Sequence, residues 1–230
     1  MAYTKRIVCL AISYRPDGRC IAGMEVLGNG EFGGWIRPIS ARDSAGVPYE
    51  EYRYRSGDSP KLLDIIDVPL LRAAPHSHQT ENHILDPESR WVKRGELAWD
   101  DLEQMYERPE SIWVNSDRTR VGCYDCMSAA EAARLRNSLL LVKKKAFTVV
   151  VGSSTWDGVT RRIYRGQFDY RGTHHNFSLT DPAALRAFSA KQEGDYPLND
   201  VYVCVSLTEP YKEDGRCHKL VAAVLRNPPL

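Results

Sequence analysis

The densest run of chemistry-bearing side chains is His76-Ser77-His78-Gln79-Thr80-Glu81-Asn82-His83, with Asp86 just beyond it. Imidazole and carboxylate groups are the usual ligands of transition metals, and imidazole is the usual acid–base near neutral pH. The order is not H-E-x-x-H, and His78 and His83 stand five residues apart, so one helical face does not carry both. A loop could still gather His78, Glu81 and His83, the weak catalytic candidates of the chain. The competing reading is a hydrogen-bonded loop that caps a barrel.

Two other stretches interleave aromatic and cationic residues, the composition that stacks on bases and tracks a phosphate backbone. The first is Trp35 and Arg37 with Tyr49, Tyr52, Arg53, Tyr54 and Arg55. If Tyr52 to Arg55 is extended, alternation puts both tyrosines on one side and both arginines on the other. The second joins Lys143, Lys144 and Lys145 to Arg161, Arg162, Tyr164 and Arg165. Each has a bland counterpart: core tyrosines in the first case, a solvated turn in the second.

Among six cysteines only Cys123 and Cys126 have metal-ligand spacing, with Cys217-His218 as a distant second pair. A closed zinc site needs four ligands, so two incidental thiols in a loop are the favoured reading and no metal or cofactor is called for. Gly28-x-Gly30-x-x-Gly33 formally fits a dinucleotide fingerprint but precedes a β-like run, where no helix N-terminus cradles phosphate. Val151-Gly152-Ser153-Ser154 lacks the strand-to-helix elbow of a hydrolase.

The elements that must position these residues are mostly short strands. Arg6–Ser13, Cys20–Leu27 and a run opening at Gly33 are separated by turn residues, including Arg15-Pro16-Asp17-Gly18. Leu62–Leu71 follows, and Pro69 argues for an edge or a strand end there. Pro75–Arg94 is polar and aperiodic and reads as a long loop. Trp99–Tyr106 and Ala129–Asn137 read as short helices, the second capped by Ser128 with Glu131 in a capping box. Ser138–Lys143 and Phe147–Gly152 read as two strands split by the lysine triplet. Arg161–Tyr170 and Thr173–Leu179 flank a hairpin turn at Arg171-Gly172. Asp181 caps a helix that has Pro182 at its first position and runs through Phe188, before strands at Val201–Leu207 and His218–Leu225. The tail from Asn227 reads as frayed.

Composition bounds the answer. The chain has 230 residues, 43% apolar and 27% charged, with a formal net charge of +1. These values suit a globular protein and argue against a binder held by bulk charge. No apolar run approaches the roughly 18 residues of a membrane span, and the first residues are too short an apolar stretch for a secretory signal, so a soluble cytoplasmic protein is expected.

Three blocks near the start carry a resemblance: Lys5-Arg6-Ile7-Val8-Cys9-Leu10-Ala11, Gly18-Arg19-Cys20-Ile21-Ala22-Gly23 and Gly33-Gly34-Trp35-Ile36-Arg37-Pro38. So do Leu62–Pro69, His78–His83, Gly194-Asp195-Tyr196 and Cys217–Ala223. Together they resemble the dual OB-containing domain family of prokaryotes. The resemblance implies a mainly β protein with short helices: two OB-like β-barrels, at 1–75 and 138–230, joined by a loop-rich, helical segment at 76–137. It implies no catalytic residues, and it suits a place in a prokaryotic defence or mobile-element system. OB barrels often bind oligonucleotides. The leading expectation is therefore a non-enzymatic module contacting single-stranded or structured nucleic acid through the two aromatic–cationic stretches. Two alternatives stay open: a subunit that docks a larger nuclease, helicase or ATPase, and a small enzyme or modified-nucleotide sensor centred on the His78–His83 loop.

Overall fold

A computed structural model describes residues 2–15, 18–42 and 46–230. Pro16 and Asp17 of the first expected turn lie outside these. The chain divides into two compact units, Met1–Met105 and Tyr106–Leu230. The expected connector at 76–137 is thus shared out: residues 76–105 complete the first unit, and 106–137 belong to the second.

The first unit contains β1 (Tyr3–Arg15), β2 (Gly18–Val26), β3 (Phe32–Ile39), the single-turn helix α1 (Tyr49–Tyr52), β4 (Asp64–Ala73), β5 (Asn82–Leu85) and β6 (Val92–Glu96). A 3-10 turn at Trp99–Gln104 ends it, matching the three-residue spacing of Trp99, Leu102 and Met105. The strands close into a ring, β1-β2-β3-β5-β4 and back to β1, with β6 added beside β4. All ring pairings are antiparallel except β3 with β5. This is a five-stranded Greek-key barrel. Ile7, Cys9, Ile21, Ile66, Val68 and Leu85 fill it from successive strands.

Two expectations change here. The polar run Pro75–Arg94 contains β5 and the start of β6, so it is barrel wall as well as loop. Pro69 lies inside β4, opposite Thr4 of β1. It is tolerated because β4 changes partner there: β6 pairs with Asp64–Asp67 and β5 takes over from Leu70. The missing N–H falls between two ladders.

The second unit contains β7 (Cys126–Ser128), α2 (Ala129–Ala132), β8 (Leu139–Trp156), β9 (Val159–Tyr170), β10 (Thr173–Leu179), α3 (Pro182–Phe188), β11 (Gly194–Leu207) and β12 (Arg216–Leu225). Its ring is β8-β9-β10-β12-β11 and back to β8, again with one parallel pairing, β10 with β12. Counted from its own first strand, this is the same circuit as the first barrel. Phe147, Val149, Phe168, Phe177 and Val203 lie in its core.

Local signals hold well in this unit. Asp181 Oδ1 accepts from the N–H groups of Ala183 and Ala184, and Oδ2 accepts from Val224 N–H, fastening α3 to β12. Ser128 and Glu131 make the reciprocal capping box. The helix they start is shorter than expected and ends by Ala133. The lysine triplet does not break the chain: β8 runs through it as one long strand, paired with β11 without a register shift. Leu230 packs against the second core, where the tail reads as frayed. Among the described residues, no helix is long and apolar enough to cross a membrane.

Candidate nucleic-acid interface

The hairpin between β8 and β9 turns at Asp157-Gly158, with φ of 48° and 73°. Positive φ at both central residues is what a type I′ turn requires, and Asp-Gly is a favoured pair for it. Register then decides what the hairpin presents. Val149 and Val151 face the core, so alternation turns Gly152, Ser154 and Trp156 outward. Opposite these stand Ile163, Arg161 and Val159 on the same outer face. Trp156 is 66% exposed and Val159 50%. Arg120 reaches this face, donating to Ser154 Oγ at 3.2 Å and to the Thr155 carbonyl at 3.1 Å. Among the described residues neither Arg120 nor Arg161 meets a carboxylate. An open indole, an unpaired guanidinium and a second one held beside it occupy one hairpin face.

Sequence reading missed Trp156 and Arg120. The signal for the first was present, because Asp157-Gly158 between β-prone runs is a strong hairpin marker. Arg120 reaches the face only through tertiary folding.

The middle of the outer face of β9 and β10 is covered by the chain itself, while Asp169 and His174 beyond it stay exposed. Residues 117–128 lie between β10 and β12, where those strands pair at only two positions, Ser178↔Leu220 and Leu179↔Val221. Cys123 exchanges backbone hydrogen bonds with Asn176, and Lys219 N–H donates to the Asp125 carbonyl. The Asp125 carboxylate accepts from Thr119 N–H, Thr119 Oγ1 and Arg165 Nη2, the last at 2.8 Å. Arg165 also donates to Asn176 Oδ1 and Ser178 Oγ. Gly122 is required here, because a Cβ would land 1.7 Å from the Asp125 carboxylate. Lys219 is fully buried and donates to Val114 O and Asn115 Oδ1; burial holds its ammonium down at about 8.

The second expected stretch is therefore dispersed. Arg165 is buried in this network. Arg161 and Arg162 face opposite sides, since Arg162 stands opposite Ser153 and donates to the Lys191 carbonyl. Lys143, Lys144 and Lys145 sit roughly 25 Å or more back along β8 at ~3.3 Å per residue. Lys143 lies over the rings of Tyr106 and Tyr202, and Lys144 lies over Tyr170 and donates to the Asp169 carbonyl. Lys145 is exposed.

The first stretch is rearranged too. Tyr52 to Arg55 does not form an extended strand: Tyr49–Tyr52 is α1, and Tyr54 makes a bridge to Trp91. Tyr52 and Tyr54 are buried in the barrel core, where the Tyr54 hydroxyl donates to Asp64 Oδ2 at 2.6 Å. Neither ring can stack on a base there. Arg37 is buried and pairs with Glu81 at 3.1 Å, which removes it from any phosphate. Trp35 is half-buried on β3. Tyr49 and Arg53 remain at the surface, with the guanidinium 5.9 Å from the ring centroid, and Arg55 is exposed.

The histidine-rich run forms the β4–β5 connection of the first barrel. His76 and Gln79 close a tight turn by mutual backbone hydrogen bonds. His78, Gln79, Glu81 and Asn82 are all buried, and Asn82 Nδ2 donates to Gln79 Oε1. Glu81 turns to Arg37, whereas His83 Nδ1 lies 2.5 Å from the Tyr3 hydroxyl. Of the three catalytic candidates, His78 and Glu81 are closed off from solvent. Cys123 lies in the 117–128 segment beside Asn176, while Cys126 is buried in β7 opposite His218, and burial raises its thiol to about 11. Among the described residues no three His, Cys, Asp or Glu side chains gather as metal ligands.

Two five-stranded barrels of one circuit, each with its hairpin between first and second strands, define a tandem OB protein. The chain belongs to the dual OB-containing domain family, whose model matches residues 5–224. Nothing among the curated proteins or the solved structures matches it.

Proposed function

We propose that this protein is a binding module, without chemistry of its own, that contacts single-stranded nucleic acid through the β8–β9 hairpin. The observation that carries this reading is Trp156, 66% exposed, with Arg161 and Arg120 on its face. A large indole left in water is costly unless something covers it, and a base offers a flat π-surface beside an anionic backbone. Unpaired bases are accessible to such a ring; bases stacked in a duplex are not. OB barrels use this first hairpin in many oligonucleotide complexes. In a prokaryotic defence or mobile-element system, exposed single strands are a fitting ligand for a cytoplasmic module of this kind.

The protein-docking reading also has an observation behind it, since Trp156 and Val159 form an apolar pair that could seat on a partner. Salt separates the two. Phosphate contacts weaken as salt rises, whereas apolar docking does not. The test is fluorescence anisotropy with labelled single-stranded DNA, single-stranded RNA and duplex at two salt concentrations. A single strand binds, salt weakens it, and Trp156→Ala loses about tenfold, in line with ~1–3 kcal/mol per stacked base, without lowering the melting temperature. Absence of binding to any probe at tens of micromolar overturns the reading.

A further inference from the structure

The shared circuit gives every strand of one ring a counterpart in the other. The counterpart of β8–β9 is the β1–β2 hairpin, whose described flanks carry the same chemistry. Tyr14 and Arg19 stand directly opposite each other. The Arg19 guanidinium lies 5.6 Å from the Tyr14 ring centroid, and that ring is 54% exposed. Arg19 is also joined to Val47 by two backbone hydrogen bonds. This brings the start of α1 alongside the hairpin, and with it Tyr49, 44% exposed.

Tyr49 is held rather than loose. Its hydroxyl donates to the Gly57 carbonyl at 2.8 Å, and its ring meets buried Tyr52 edge-on at 5.6 Å. Arg53 lies over it. Among the described residues neither Arg19 nor Arg53 pairs with a carboxylate. Of the two acidic residues on α1, Glu51 is buried and tied to Arg42 at 3.1 Å, and Glu50 is exposed. Two positioned rings and two guanidinium groups therefore share one stretch of surface.

We propose that Tyr14, Arg19, Tyr49 and Arg53 form a second contact for single-stranded nucleic acid, so that each barrel carries its own. The inference rests on the reading of the β8–β9 hairpin for its ligand class, but on separate residues. Two linked weak contacts on one strand raise affinity through effective concentration, which makes strand length the diagnostic variable.

The experiment titrates labelled oligonucleotides of about 8 and about 30 nucleotides, a span set by the ~4–16 nucleotides an OB barrel covers, against the full chain and its variants. The variants are Tyr14→Ala with Tyr49→Ala, Arg53→Glu, Trp156→Ala, and the tyrosine and tryptophan changes combined. Wild type binds the long strand at least tenfold more tightly than the short one. Either the tyrosine pair or Trp156→Ala removes most of that gain, and the combination removes binding. Arg53→Glu, a surface change that leaves the core intact, reproduces the loss if the tyrosine variant fails to fold. Wild-type affinity for both lengths in the tyrosine pair and in Arg53→Glu overturns the second contact and leaves the hairpin reading standing. Loss in those variants with no effect of Trp156→Ala overturns the hairpin reading and keeps this one. No binding by the wild type overturns both.

Discussion

His175 is a titratable side chain that the fold buries without a hydrogen-bond partner among the described residues. It is fully buried on β10, with Phe168, Phe177 and Tyr124 around it at ring distances of 5.1 to 6.4 Å. Neither ring nitrogen has a hydrogen-bond partner among the described residues. Burial, with Lys219 and His174 adding repulsion, pushes the imidazole down to about 4; Asp169 opposes this, and Lys144 adds to it. The unfolded chain takes up a proton near the ordinary value of about 6.5, while the folded chain refuses it until about 4. The unfolded state thus binds more protons in that window, so stability falls as pH drops through it and levels off below. The full effect is about 3 kcal/mol. Urea unfolding at neutral pH and at pH near 4 measures it, and His175→Phe, which keeps the aromatic packing, flattens that part of the dependence. A His175→Phe protein with the wild-type pH profile would refute the assignment.

At the scale of elements, the strap at residues 117–128 is the part least like a loop. It fills the space between β10 and β12, and its carboxylate neutralises Arg165 inside the protein. Removing one partner of a buried ion pair strands the other charge, a loss of about 3–5 kcal/mol, whereas replacing both with apolar residues is often near neutral. Asp125→Ala therefore destabilises the second barrel strongly, and Asp125→Leu with Arg165→Met recovers most of the loss in a denaturant titration. Additive losses in the double variant would show that the two side chains act separately. None of this is visible along the chain, because Asp125 and Arg165 meet only through tertiary folding. What was legible was local: Asp181-Pro182, Ser128 with Glu131, and Arg171-Gly172 each specify their element through neighbours a few residues away. What was not legible depended on distant partners. Asn82-His83-Ile84-Leu85 is a strand because β3 and β4 flank it, although its neighbourhood is polar. The lysine triplet reads as a break, yet β11 pairs on both sides of it in one register, skipping only the position of Lys145 opposite Asp200. Tyr52 and Tyr54 have the composition of a binding face and the position of a core.

For the whole molecule, a net charge of +1 means that affinity for a polyanion must come from a few placed cations. Single strands release about 0.7 counterions per phosphate neutralised, so if Arg120, Arg161, Arg19 and Arg53 make the two proposed contacts, a long strand is expected to show a log–log salt slope of about −3. A slope of −5 or steeper, measured by anisotropy across several salt concentrations, would mean that a much larger basic surface is engaged. The ring closure common to both barrels has a kinetic side. The hairpins β1–β2 and β8–β9 join neighbours in sequence and need only short loops to close. Each barrel is finished only when its first strand finds its fourth and its third finds its fifth, across long stretches of chain. Chains built this way fold slowly, on the order of milliseconds to seconds, with the non-local pairings as the entropic bottleneck. The tryptophan-bearing hairpin is thus poised to form early, while the barrel that will support it is still open.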